Sequence, residues 1–183
     1  QLRRRIVAHR RPEGLAILYL APTKALCREM ADRLGDALSM FNRKVMARTG
    51  DNPKTPDPPP FILVTTLESL DSLLARHRKP LSTIKAVLLD EIHVLHGNPR
   101  GLQLQVLLKR LEKLGGEPIQ KVALSATVSE PSEIVSGFLG DGDVIVGEGN
   151  RVTRLHVVRD LDELVAQSRA EGVRLLLCFA ETR

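Results

Sequence analysis

Short apolar segments alternate with amphipathic segments along the chain, which predicts repeated β-strand–α-helix units and a parallel sheet. The strands predicted before residue 147 are residues 15–20, 44–47, 61–65, 86–89, 122–124 and 144–146. Helices are predicted over residues 23–38, 67–75 and 102–114, and a further helix begins at Pro131. The run from 15 to 20 (LAILYL) is apolar throughout, as expected of a strand that is buried on both faces.

Apolar residues at helical spacing predict which side of two of these helices faces the sheet. In the helix over residues 23–38 they are Ala25, Leu26, Met30, Leu34 and Leu38. In the helix over residues 102–114 they are Leu102, Val106, Leu107, Leu111 and Leu114. Gly115 and Gly116 follow the second of these helices and predict its end.

The chain is predicted to contain two parts. Residues 1–147 form one nearly complete α/β domain, residues 148–150 a linker, and residues 151–183 the start of a second domain. In the second part the pattern predicts a strand at 155–158, a helix at 161–170 and a strand at 173–179. The segment 49–60 contains five prolines and is predicted to be an irregular loop.

The composition narrows the possible functions. The chain has 183 residues, a net charge of +5, no Trp, one Tyr and four Phe. So few aromatic side chains argue against a base-stacking platform of the RNA-recognition or OB type. The positive charge favours a polyanionic partner, although a solvated basic surface explains the charge alone equally well. Cys27 and Cys178 are expected to be buried free thiols in a reducing compartment. Since no segment is apolar enough to span a bilayer, we expect a cytoplasmic protein, free or nucleoid-associated, without membrane contact.

Two adjacent acids, Asp90 and Glu91, follow the apolar run 86–89 directly, and His93 comes two residues later. Carboxylates at the end of a buried strand are costly unless they have a cation or hydrogen-bond donors. Ligands of open parallel sheets bind at the carboxyl ends of the strands, where nucleotide chemistry uses one acid for Mg²⁺ and another for the attacking water. A strand end that meets a polar loop is the alternative, and the rarer string D-E-x-H favours the chemical interpretation.

Six short segments, in this order, resemble the motifs of superfamily 2 DEAD/DEAH-box helicases of the DExH type. They are residues 21–26 (APTKAL, motif Ia), 49–51 (TGD, motif Ib), 65–70 (TTLESL, motif Ic), 90–93 (DEIH, motif II), 125–127 (SAT, motif III) and 175–183 (LLLCFAETR, motif IV). Together with the downstream segment 99–101 (PRG), they look most similar to Lhr-type and Ski2-like helicases. The resemblance implies a RecA-like P-loop NTPase fold, with a parallel sheet flanked by helices and then the first βαβ unit of a second RecA-like domain.

The resemblance also implies ATP with Mg²⁺ as cofactor, and DNA or RNA as a partner bound through its phosphate backbone. Asp90 would hold Mg²⁺ through water, and Glu91 would be the second catalytic residue, the base. The residues implied in coupling hydrolysis to the nucleic acid are His93, Ser125, Ala126 and Thr127. The residues implied in nucleic-acid binding are Pro22, Thr23, Lys24, Gly50, Asp51, Thr65, Thr66 and Arg100. The alternatives are helix caps at the threonines, plain turns at the strand ends and a local loop contact of the arginine.

No G-x-x-x-x-G-K-S/T string and no shorter G-K-S/T string occurs in the sequence. Residues 2–9 are interpreted as the end of the helix that would follow motif I, and motifs V and VI with their arginine finger are not found. We therefore expect this chain to be a fragment of an ATP-dependent helicase. The complete helicase is expected to be a monomer. The fragment is expected to bind nucleic acid, to hold no nucleotide tightly, to turn over no ATP and to leave an open edge in its sheet. A non-catalytic remnant that binds nucleic acid or protein is the alternative, and the retained acids disfavour it.

Overall fold

The computed structural model describes residues 14–54, 57–126, 128, 130–147 and 160–172. The strands within these residues are β1 (Ile17–Leu20), β2 (Val45–Arg48), β3 (Ile62–Thr65), β4 (Ala86–Leu89) and β5 (Gln120–Ala123). The α-helices are α1 (Lys24–Leu38), α2 (Leu67–Arg76), α3 (Arg78–Leu81), α4 (Pro99–Gly115), α5 (Pro131–Ile134) and α6 (Leu161–Ala170). Two 3-10 helices (Ser39–Phe41 and Ile92–Val94) and a π-helix (Val135–Leu139) complete the set. The predictions for residues 2–9, 127, 155–158 and 173–183, including Cys178, fall outside the described residues.

The five described strands form one parallel sheet in the order β2-β3-β1-β4-β5. The α/β class with a parallel sheet, predicted from the alternation of apolar and amphipathic segments, is confirmed. Because all strands run the same way, the residues that follow them meet at one edge of the sheet. Within the described residues β2 and β5 are the edge strands, and β5 is partly exposed along its length.

Helices cover both faces of the sheet, and each face has its own apolar cluster. On one face Tyr19 and Val64 pack with Cys27 and Ala31 of α1. On the other face leucines of β1, β3 and β4 pack against α2, α4 and α5. The thiol of Cys27 is fully buried, and burial raises its pKa to about 11, so the expected buried thiol is confirmed for this cysteine.

The predicted inward side of α4 is only partly correct. Leu102 and Val106 are 65% and 56% exposed, so these two assignments are wrong. The buried leucines of this helix are Leu104, Leu107, Leu108 and Leu111. The physical reason lies at the start of the helix, three residues before the predicted one. There Gly101 packs so closely on the backbone of Leu95 that the rotation of the helix is fixed. Ala25 of α1, also predicted to face inward, is exposed.

The strand predicted at residues 144–146 is absent from the structure. Ile145 is 93% exposed, and no described strand pairs with this segment. Three apolar residues specify a strand only when a neighbouring edge supplies the hydrogen bonds of a ladder, so the local pattern was insufficient here.

The chain divides into two compact units, residues 1–145 and 146–183. In the second unit α6 is the described helix, and Asp160 caps it by accepting a 2.9 Å hydrogen bond from the backbone N–H of Glu163. Among the described helices none has the length and apolar character needed to cross a bilayer.

Candidate functional site

The carboxylate of Asp90 lies at the carboxyl edge of the sheet, directly after β4, and is held by two hydrogen bonds. Its Oδ1 accepts from the backbone N–H of Glu91 at 3.0 Å, and its Oδ2 accepts from the hydroxyl of Tyr19 at 2.8 Å. Glu91 has a φ of 49°, in the left-handed region, which costs a non-glycine residue about 1–2 kcal/mol. The chain therefore turns sharply at Glu91, and the surrounding structure holds this residue in a backbone conformation that it would not favour by itself.

Glu91 and Ser125 both approach the same imidazole nitrogen. His93 Nδ1 lies 2.9 Å from Ser125 Oγ and 3.3 Å from Glu91 Oε2. The second approach is close but lacks hydrogen-bond geometry, so the buried Oε2 atom has no hydrogen bond from any described residue. His93 thus joins the loop after β4 to the loop after β5. Ala126 follows Ser125 and is exposed, whereas Thr127 lies outside the described residues.

The two acids suit a Mg²⁺ ion that arrives with a nucleotide. Each oxygen of Asp90 accepts one hydrogen bond from the described part of the chain and keeps acceptor capacity for a metal-bound water. Glu91 Oε2 is a buried acceptor that receives no hydrogen bond from the described residues, which fits an ordered or metal-bound water. In the part of the chain that the structure describes, no three His, Cys, Asp or Glu side chains form a metal cage. Such a pair matches Mg²⁺, which in nucleotide sites takes one or two carboxylates and completes its shell with phosphates and water.

Tyr19 belongs to this site, although the sequence analysis did not single it out. Burial, and then the hydrogen bond to Asp90, raise the pKa of its phenol well above the ordinary range. A polar aromatic residue inside an otherwise apolar strand was the available signal, because a buried hydroxyl needs a partner.

A second part of the site is a cavity of about 390 Å³ at the ends of β1, β2 and β3. Its lining residues are Pro22, Thr23, Lys24, Arg48, Thr49, Gly50, Pro53, Thr66, Glu68, Ser69 and Ser72. Five of the predicted nucleic-acid residues come together there: the three of motif Ia, one of motif Ib and one of motif Ic. The cavity offers hydroxyl groups, two cationic side chains and one carboxylate, Glu68, which is paired with Arg100. The hydroxyl groups and the cations suit phosphate.

Lys24 and Asp51, which the sequence placed in the same role, form an ion pair with each other. Lys24 Nζ lies 2.6 Å from Asp51 Oδ1, and Arg28 Nη2 lies 3.4 Å from Oδ2. The hydrogen bond from Lys24 lowers the pKa of the Asp51 carboxyl below its ordinary range. Asp51 therefore fixes two cations of α1 at the mouth of the loop that carries Gly50.

Arg48, at the end of β2, is the second cation of the cavity and was not predicted. Its side chain is 4% exposed, and the described groups that accept its hydrogen bonds are all neutral: Pro53 O at 3.1 Å, Ser69 O at 3.0 Å and Ser69 Oγ at 2.7 Å. Burial, with a smaller contribution from Arg76, lowers the pKa of this guanidinium. A buried arginine without an acid among its described partners leaves a positive charge in the cavity wall. The signal was a basic residue inside an apolar strand next to motif Ib.

The threonines of motifs Ia and Ic have different environments. Thr23 Oγ1 accepts from Leu26 N at 3.3 Å and Thr66 Oγ1 accepts from Ser69 N at 3.4 Å, so both cap helices while lining the cavity. Thr65 is fully buried, and its hydroxyl donates a 2.7 Å hydrogen bond to Arg48 O. Thr65 therefore joins β3 to β2 below the cavity and has no surface for a ligand.

Arg100 contacts an acid of the cavity wall, Glu68, and is not itself a lining residue of the cavity. Its Nη2 lies 2.6 Å from Glu68 Oε1, and this bond ties α4 to the first turn of α2. Burial alone would raise the pKa of Glu68, but hydrogen bonds from its own backbone and from Arg100 lower it overall. Arg100 thus forms an ion pair between two helices with a residue 32 positions away in sequence, which differs from the local loop contact given as the alternative.

Comparison with known proteins gives the same family that the motifs indicate. Residues 2–134 match the DEAD/DEAH box helicase family. The chain is 36% identical over 157 residues to the Lhr helicase/uracil glycosylase of Escherichia coli, covering 76% of this chain and 10% of that protein. It is 38% identical over 146 residues to the ATP-dependent helicase Lhr-Core of Methanothermobacter thermautotrophicus, covering 69% of this chain and 17% of that protein.

A solved structure is similar as well. The helicase Lhr of Mycobacterium smegmatis, bound to ssDNA and AMP-PNP, superposes with a TM-score of 0.60 at 31% identity, covering 68% of this chain and 18% of that chain. The chain thus spans less than a fifth of the length of each of these relatives. With a family match over most of its length and a RecA-like parallel sheet, the chain belongs to the DEAD/DEAH box helicases.

Proposed function

We propose that this chain is part of an ATP-dependent helicase that uses ATP hydrolysis to move along DNA or RNA or to unwind it. The observation that carries the proposal is the cavity at the ends of β1, β2 and β3, with Lys24 and Arg48 in its wall. This cavity lies at the same edge of the sheet as Asp90 and Glu91. The solved Lhr relative was bound to ssDNA and AMP-PNP, which supports both halves of the proposal.

On the nucleic-acid side, the cavity would hold the phosphate backbone. Lys24 supplies an exposed charge at the start of α1, and Arg48 supplies a buried charge anchored by neutral acceptors. The N-terminal ends of α1 and α2 add partial positive charge, since Thr23 and Thr66 cap these helices at the cavity. These groups recognise phosphate and not bases, so the interface suits DNA and RNA alike.

On the nucleotide side, Asp90 would hold a water of the Mg²⁺ shell, and Glu91 Oε2 would take the proton of the attacking water. Bound Mg²⁺·ATP would supply the electrophilic γ-phosphate and neutralise the charge that develops on it. His93 and Ser125 would transmit a change at Glu91 to the loop after β5. We further propose that the complete protein is monomeric and cytoplasmic, and that the 183-residue chain alone turns over no ATP because its sequence contains no G-K-S/T string.

Binding of labelled single-stranded DNA and RNA to the 183-residue chain, measured by anisotropy over a range of salt concentrations, tests the nucleic-acid half. Lys24→Gln is expected to weaken binding to any sequence and to reduce the slope of log K against log salt by about one. Arg48→Gln is expected to do the same, with an added loss of stability because its hydrogen bonds to Ser69 are buried.

Lys85→Gln is the matched control, because Lys85 is 52% exposed like Lys24 and is also ion-paired. Lys85 directly precedes β4, at the amino ends of the strands and thus away from the cavity. It should bind nucleic acid as the unsubstituted chain does. The interface assignment is wrong if the unsubstituted chain fails to bind at low salt, or if Lys24→Gln and Lys85→Gln behave identically. ATP turnover by the 183-residue chain would contradict the proposal that it is inactive alone.

A further inference from the structure

The phenol of Tyr19 reaches the Asp90 carboxylate from inside the sheet. Tyr19 is opposite Leu88 in the parallel register of β1 and β4, and Asp90 lies two residues beyond Leu88. Residues two apart along a strand share a face, so Tyr19 and Asp90 are on the same side of the sheet. Tyr19 is 4% exposed, and its hydroxyl donates a 2.8 Å hydrogen bond to Asp90 Oδ2. The carboxylate is thus held from below by a group that solvent does not reach.

The two hydrogen bonds to Asp90 restrain its carboxylate and leave part of its acceptor capacity free. Oδ1 accepts from Glu91 N and Oδ2 accepts from Tyr19 Oη, so the plane of the carboxylate is fixed at both oxygens. An ionised carboxylate has about four acceptor positions, and two therefore remain for other donors. Among the described residues the Tyr19 hydroxyl has Asp90 as its hydrogen-bond partner, and a phenylalanine would fill the same apolar surroundings of Val64 and Cys27.

We propose that Tyr19 is a positioning residue for the proposed ATPase reaction. Its phenol holds Asp90 in the orientation from which the free acceptor positions can receive a water of the Mg²⁺ shell. Tyr19 itself touches neither the ion nor the nucleotide. The inference rests on the proposed function, and it adds a residue that lies outside all the helicase motifs found in the sequence.

The contact itself can be observed in the 183-residue chain, because Tyr19 is its single tyrosine and it contains no tryptophan. Tyrosine fluorescence therefore reports on this phenol alone. A carboxylate that accepts the phenol proton quenches the excited state, so Asp90→Asn is expected to increase the emission. Asp71→Asn, which removes a carboxylate between α2 and α4, is the control and should leave the emission unchanged. Equal emission of the Asp90→Asn variant and the unsubstituted chain would overturn the proposal.

The positioning role is tested in the complete protein that contains this chain, by equilibrium binding of a fluorescent ATP analogue with Mg²⁺ and with EDTA. Tyr19→Phe removes only the hydroxyl and is expected to reduce the Mg²⁺-dependent gain in affinity about ten-fold, with binding in EDTA unchanged. Val64→Ala, at the position of β3 in register with Tyr19, is the control for loss of core stability and should keep the full Mg²⁺-dependent gain.

Three outcomes distinguish the positioning role of Tyr19, a purely structural role of its hydroxyl and failure of the proposed function. An Mg²⁺-dependent gain reduced in Tyr19→Phe but not in Val64→Ala supports the positioning role. A lower melting temperature of Tyr19→Phe with an unchanged gain shows a purely structural hydroxyl and overturns the inference alone. Absence of any Mg²⁺-dependent nucleotide binding by the unsubstituted protein overturns the proposed function and the inference with it.

Discussion

His93 Nδ1 lies 2.9 Å from Ser125 Oγ, and this contact joins the loop after β4 to the loop after β5. The two residues are 32 positions apart in sequence, so the helix α4 separates them along the chain. Neighbouring parallel strands bring them together, because their carboxyl ends are adjacent. The link connects the loop of the candidate catalytic acids with the loop of motif III.

A double-mutant cycle measures this link. We expect His93→Ala and Ser125→Ala to show a coupling energy of about 0.5–1.5 kcal/mol in urea denaturation of the 183-residue chain, the net value of one hydrogen bond. The cycle is needed because each residue has other contacts that a single substitution also removes. Strictly additive effects of the two substitutions would show that the contact contributes nothing to stability.

The Asp51 carboxyl should titrate below the ordinary aspartate range, because Lys24 donates a hydrogen bond to its ionised form. A pKa that is lower in the folded than in the unfolded chain stabilises the fold above the ordinary aspartate pKa. This stabilisation is lost as the pH falls through the lowered value. NMR titration of the side-chain carboxyl carbon measures the pKa directly. Lys24→Gln should raise the Asp51 pKa towards its ordinary value, whereas Lys85→Gln should not change it; equal titration in all three chains would refute the ion pair.

Two glycines in helices should respond oppositely to alanine. A Cβ atom on Gly101 would lie 2.1 Å from Leu95 O, so Gly101→Ala must displace the backbone and is expected to cost about 2–4 kcal/mol. A Cβ on Gly35 of α1 meets nothing within 4 Å, and Gly35→Ala is expected to stabilise the fold by about 0.5–1 kcal/mol. Chemical denaturation of both variants gives the comparison, and a neutral Gly101→Ala would mean that the loop before α4 moves freely.

The rotation of α4 can be checked with two leucines. Leu104 is fully buried, and Leu104→Ala is expected to cost about 2–5 kcal/mol through lost burial and a residual cavity. Leu102 is two positions earlier and 65% exposed, so Leu102→Ala should change the free energy of unfolding by no more than about 0.5 kcal/mol. If Leu102→Ala cost more stability than Leu104→Ala, the inward side of α4 would be the one predicted from the sequence.

Local sequence determined most of the strands and helices of the first unit. The strands β1, β3 and β4 lie within or at the predicted runs, because continuous apolar segments between helices have few alternatives to a buried parallel strand. The motifs also placed Asp90 and Glu91 at the end of β4, and Thr23 and Thr66 at the starts of helices, since capping and strand ends are local features.

Tertiary structure decided which side chains meet. Tyr19 and Asp90 are 71 positions apart, and only the register of β1 and β4 gives the phenol its partner. The buried charge of Arg48 and the enclosed position of Thr65 likewise depend on how β2 and β3 pair. The rotation of α4 was set by the close packing of Gly101. Residues 144–146 form no strand because no described strand pairs with them. Sequence periodicity thus determined the elements and the motif positions, whereas hydrogen-bond partners, burial and charge neutralisation came from long-range packing that no local pattern encodes.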